Sequence, residues 1–109
     1  MKMNAIPFAA IDWRAAASEK HEGETGVAEW KTGTAGGIRV RMVEYSKGYA
    51  SDHWCSKGHV ILVLEGELVM ELGDGTVARL GSGMSCVVGD DEAPHRASAP
   101  SGAKLFIVD

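Results

Sequence analysis

"HVILVLEGELVMELGDGTVARL", residues 59–80, is the stretch whose reading decides the fold. It resolves into three short apolar segments, "HVILVLEG" (59–66), "ELVMEL" (67–72) and "TVARL" (76–80), with glycine-bearing turns "EGE" and "GDG" between them. The Asp-Gly step of the second turn is favoured in tight hairpins. The same pattern extends outward. "VAEWKT" (27–32) and "GIRVRMVEY" (37–45) precede the stretch, and "MSCVV" (84–88), "HRASA" (95–99) and "KLFIVD" (104–109) follow it. The turns "GTAGG", "SKG", "GSG" and "PSG" punctuate the rest. Short strands with turn signals roughly every eight to twelve residues predict an all-β sandwich or barrel. Side chains alternate along a strand, so if His59, Ile61 and Val63 point inward, Val60, Leu62 and Leu64 point outward. Both faces are apolar, and the outer one needs a cover. The N-terminal arm or a second subunit would supply it, and a homodimer is the preferred reading.

A chain of 109 residues has room for one core, so residues 1–109 are read as one domain with an N-terminal arm over 1–25. Within the arm, "DWRAAASEK" reads as a turn or two of helix N-capped by Asp12, or as an extended segment, with "HEGETG" a loop. Hydrophobic residues at 45% and charged residues at 24% are ordinary for a soluble globular protein. The net charge of −4 and scattered basic residues exclude the footprint of a nucleic-acid binder. No apolar run reaches the roughly 18 residues of a membrane span. Asp12 interrupts the apolar N-terminus, which argues against a signal peptide. Two cysteines without an export signal suggest reduced thiols and a cytoplasmic location.

Chemistry concentrates in "DHWCSKGH", residues 52–59, with two of the four histidines and one of the two cysteines. His53 and Cys55 stand two apart, so on a strand they leave by one face, with Cα atoms about 6–7 Å apart. "SKG" is a three-residue connection with glycine where a reversal would need positive φ, and it can fold His59 back beside the pair. Imidazole and thiolate are the ligands of zinc, and they also serve iron, copper and nickel. Two other readings stay open: a packed cysteine beside solvated histidines, and a nucleophilic Cys55 activated by a neighbouring imidazole. A fourth donor, His95, opens a later strand after Pro94.

At this point the residues resemble the cupins, small double-stranded β-helix barrels with metal ligands on the inner wall. The first motif of that family is matched by Gly48, "YASD" (one residue short), His53-Trp54-Cys55, "SKG", His59, "VILVLE" and Gly66. The second is matched in outline by Gly83, "MSCVV", Gly89 and His95, with glycine in place of proline and one residue inserted before the histidine. The resemblance covers residues 37–109, the expected barrel core, and "DHWC" is similar to the small, single-domain DHCW-motif cupins. It implies a double-stranded β-helix, jelly-roll-like barrel and the metal ligands His53, Cys55, His59 and His95. Cys55 stands where the family has a second histidine, and His59 where it has a glutamate. A thiolate in the set favours zinc, with iron, nickel or manganese as alternatives.

Several residues are assigned structural roles. Arg39 and Arg41 share one strand face. That face reads as solvated, because Ile38, Val40 and Met42 form the more apolar set; turned inward, the arginines would clamp a substrate carboxylate. Cys86 reads as packing, His21 as solvated, and Trp13, Trp30 and Trp54 as core or interface anchors. Tyr45 and Tyr49 flank the Gly48 turn. The leading functional expectation is a small-molecule metalloenzyme of undetermined reaction, with a substrate in the barrel and catalytic residues unassigned. The rivals are a non-enzymatic metal- or ligand-binding module and a redox-responsive thiol protein using Cys55 and Cys86.

Overall fold

The computed structural model describes residues 3–109 and contains nine strands. They are β1 (Glu19–Glu22), β2 (Val27–Ala35), β3 (Ile38–Tyr45), β4 (Tyr49–Ala50), β5 (His59–Leu72), β6 (Val77–Gly81), β7 (Ser85–Val88), β8 (His95–Ala99) and β9 (Ala103–Val108). No helix of the described residues is long and apolar enough to cross a membrane. All pairings are antiparallel, and β5 joins two sheets. Its first half pairs with β7 and β9, extending the series β1-β2-β3-β9, and its second half pairs with β6 and β8.

This overturns one expectation. "EGE" is not a hairpin turn; β5 runs unbroken from His59 to Leu72. A register shift lies between Val63 and Glu65, and Gly66 takes φ +80°. The extra residue reverses the alternation, as bulges do. Ile61 and Val63 are buried before it, and Leu68 and Met70 after it. One strand therefore lines the core from both sheets. Leu68, Leu105 and Val63 are fully buried where the sheets meet. "GDG" does form the expected turn, with Gly75 N donating to Leu72 O at 3.0 Å.

The N-terminal segment is turn and strand, not helix. Asp12 Oδ1 accepts from Arg14 N and Asp12 O from Ala15 N, both at 3.0 Å, and the chain then extends into β1. A short isolated helix is marginal in water, whereas the edge of β2 offers ladder hydrogen bonds. His21, expected to be solvated, stacks on Trp30 with ring centroids 3.9 Å apart. Ile6 packs over Gly36 and Ile11 over Gly33, so the arm lies along β2 and leaves β5 uncovered.

The orientation of β3 is the second correction. Arg39, Arg41 and Val43 turn inward, while Ile38, Val40 and Met42 face out. The cause lies on β9. Arg39 and Asp109 exchange backbone hydrogen bonds of 2.7 and 2.9 Å, so their side chains stand on one face, and the alternation Leu105, Ile107, Asp109 makes that face interior.

Candidate metal centre

Cys55 and His95 are placed by a backbone pair. Cys55 N donates to His95 O at 2.8 Å and His95 N to Cys55 O at 2.9 Å, forming an isolated antiparallel bridge. Residues paired in this way send their side chains to the same face. His59 arrives from the other side of the "SKG" connection, which is clamped to the turn after β7. Gly58 N donates to Asp90 Oδ1 at 2.6 Å, and Asp91 N to Ser56 O at 2.8 Å. A Cβ on Gly58 would stand 2.8 Å from Asp90 N and 2.9 Å from Val88 O. Close backbone approach, and not the positive φ expected from sequence, is what calls for glycine here.

The result is that one donor atom from each of Cys55, His59 and His95 lies within 4.8 Å of the others. The ring orientations are fixed from behind. His95 Nδ1 lies 2.8 Å from Ala93 O, a carbonyl that only accepts, so Nδ1 donates there and the ring turns Nε2 toward the site. That Nε2 is buried and has no hydrogen-bond partner. His59 Nδ1 lies 2.8 Å from Asp109 Oδ2, which leaves its Nε2 facing Cys55 Sγ at 3.5 Å. The two imidazoles meet edge to face, with centroids 5.2 Å apart. Two imidazole nitrogens and a sulfur converging at these distances fit a divalent cation, and the orphaned His95 Nε2 fits a ligand position.

Asp109 anchors the site. Its side chain is fully buried and accepts from Arg39 Nε at 2.8 Å, Arg39 Nη2 at 3.0 Å and Arg41 Nη2 at 2.8 Å, besides His59. Burial alone would raise its pKa. The Arg39 hydrogen bonds and the charges of Arg41, Arg39 and His59 outweigh this and hold the carboxyl well below the usual range. Burial lowers the His59 pKa despite Asp109, a shift toward the neutral imidazole. Arg41 is itself buried, with its guanidinium carbon 4.3 Å from the centre of the Trp30 ring and its Nε without a partner.

His53 stands apart from the three donors. Its side chain is 72% exposed, and Nδ1 bonds Asp52 Oδ1 at 2.7 Å. It lines the mouth of a cavity of about 180 Å³ whose wall also carries Cys55, His59 and His95. Tyr45 and Tyr49 stack on each other at 4.1 Å in that wall, and burial raises both phenols. Trp54 lies outside the core, 43% exposed, with the guanidinium of Arg96 4.7 Å from its ring. Cys86 packs against the core, and burial raises its thiol. The signal in the sequence that points to Asp109 is the alternation in "KLFIVD", which marks it as the next inward position after Leu105 and Ile107.

No protein-family model matches the chain, and no curated protein matches it. Solved structures do. An RmlC-like cupin from Shewanella frigidimarina NCIMB 400 superposes with a TM-score of 0.74 at 21% identity, covering 94% of this chain and 90% of that one. A predicted oxalate decarboxylase from Thermotoga maritima gives 0.76 at 13% identity, with 92% and 96% covered. Fe(II)-HppE with the alternative substrate (S)-1-HPP gives 0.77 at 20% identity over 94% of this chain, which spans 60% of the HppE chain. Identities this low speak to architecture alone. Two curled antiparallel sheets joined through one long strand, and these superpositions, agree that the chain has the cupin fold.

Proposed function

We propose that Cys55, His59 and His95 hold a divalent cation in this cupin barrel and that the protein is a small-molecule metalloenzyme. The observation that carries the reading is the convergence of three donors within 4.8 Å, one of them a buried imidazole nitrogen with no other partner. Two imidazoles and a thiolate suit zinc first, with iron, nickel or manganese next. With His53 outside the group, the protein supplies three ligands, the number typical of catalytic zinc, whereas structural sites are usually closed by four. That favours an enzyme over a structural metal module. Metal-binding and substrate-bearing neighbours of the same fold, such as Fe(II)-HppE, are consistent with it.

Such a cation supplies Lewis acidity at an oxygen of substrate or water. The chain's own residues prepare for it. Asp109 and Ala93 O orient the rings of His59 and His95, and Ile61, Leu68 and Ile107 form the apolar floor of the cavity beside them. His53, bonded to Asp52, stands exposed at the mouth of the cavity. Free Cys55 and Cys86 fit a reducing compartment, so we place the protein in the cytoplasm. We assign a second copy of the chain to the outer face of β5, which the arm leaves bare.

Elemental analysis tests the metal reading. Protein purified without added metal, or reconstituted, should hold about one ion per chain. Cys55→Ala, His59→Ala and His95→Ala should each lose affinity roughly tenfold or more, while His53→Ala keeps it. A wild-type protein that holds no stoichiometric ion after reconstitution sinks the reading.

A further inference from the structure

The cavity beside the three donors is lined by cations. Arg39, Arg41, Lys57 and Arg96 contribute to its wall, and among the described residues lining it there is no carboxylate. Arg96 is answered by Glu71 at 2.9 Å. Arg39 and Arg41 share one carboxylate, Asp109, which stands behind them and also accepts from His59. Arg41 reaches Asp109 through Nη2, and its buried Nε has no partner. Arg39, about one-third exposed, spends Nε and Nη2 on Asp109 and keeps Nη1 uncommitted. A divalent cation with the Cys55 thiolate would add one more net positive charge to the same small space. Only Arg41 is held out of water, but with Arg39 and Arg96 about one-third exposed and Lys57 exposed at the rim, positive charge gathered in one small cavity attracts an anion.

We propose that the cavity takes a short-chain carboxylic acid as its anion, with the carboxylate against Arg39 and Arg41 and the rest of the molecule toward the Cys55–His59–His95 site; this rests on the metal reading. Size and lining select the class. About 180 Å³ falls below the roughly 300–1,000 Å³ of pockets for drug-sized ligands, which points to a small acid. Guanidinium forks match the planar carboxylate. The floor of Ile61, Leu68, Met70, Leu105 and Ile107 suits a hydrocarbon stem, whereas phosphate would turn uncompensated oxygens onto it.

The test uses protein reconstituted with Co(II), whose visible bands report on ligands near the ion. Metal stoichiometry is read first, and then propionate, malonate, propionamide and inorganic phosphate are titrated, following band shifts and calorimetric heat. At least one carboxylate should bind at least tenfold more tightly than propionamide and than phosphate. Lys57→Gln and Arg39→Gln should each weaken it several-fold with cobalt still bound one to one. If Arg39→Gln does not fold, Lys57→Gln and the acid–amide comparison on wild type decide. Cobalt held stoichiometrically with acid and amide binding alike, with phosphate preferred, or with no carboxylate bound, overturns this inference and leaves the metal reading standing. Failure to hold cobalt overturns both.

Discussion

Asp109 shows how much one residue carries in this barrel. Its carboxylate answers two guanidiniums and orients the His59 imidazole, all from a fully buried position. Removing one partner of a buried ion pair strands the others, which costs several times what the pair contributes over an apolar substitute. Asp109→Asn should therefore destabilise metal-free protein by about 3 kcal/mol, read from urea denaturation midpoints at unchanged slope. Glu65→Gln breaks an exposed pair with Lys104 at 3.6 Å and should stay within about 0.5 kcal/mol. Equal effects would refute the picture of Asp109 as the anchor. The contrast also explains what could be read from residues alone. Cys55 and His59 are legible because four positions of chain separate them, and His95 because it opens a strand after Pro94 and falls within the second motif of the resemblance. Asp109 meets Arg39 across 70 positions, through a β3–β9 register that no local pattern announces. The same gap hid the facing of β3. Ile38, Val40 and Met42 look like a core set until the buried carboxylate opposite Arg39 is known.

Among the elements, β5 shows the limit of turn chemistry. Glycine between two apolar runs reads as a hairpin, and at "GDG" it is one. At "EGE" the glycine serves a bulge that lets a single strand change sheets. Gly66 combines φ +80° with a backbone neighbour, Gly102 O, standing where a Cβ would go. Gly75 has φ +90° and open space around it. Gly75→Ala should then cost only the left-handed penalty of about 1–2 kcal/mol. Gly66→Ala must also push apart β5 and the start of β9, and should cost at least about 3 kcal/mol or abolish folding. Thermal melts of the two variants side by side check this, and similar melting temperatures would show that the bulge yields easily. The strands' existence was legible because their apolar alternation is local. Continuity through position 66 was not, because a bulge and a turn ask for the same residue.

At the scale of the molecule, the outer face of β3, β9, β5 and β7 is what remains unexplained by a lone chain. Register sets Val40, Val108, Val60 and Val87 in one cross-strand row and Met42, Phe106 and Leu62 in the next. The arm shields the β2 end, yet Val60 and Leu64 stay 38% exposed and Val87 76%. In a homodimer, an apolar row that every copy carries would meet its own equivalent across a two-fold axis, the commonest symmetry of homo-oligomers. Ion pairs play little part there, so association should persist in high salt, where screening would dissolve a charged interface. Sedimentation velocity at micromolar concentration should give a dimer at both low and 1 M salt. Val87→Glu, at a position too exposed to disturb the core, should give a folded monomer, because a carboxylate at the centre of a dry contact loses its hydration without gaining a partner. A wild-type monomer at every concentration, or a Val87→Glu dimer indistinguishable from wild type, would leave this face without its second copy.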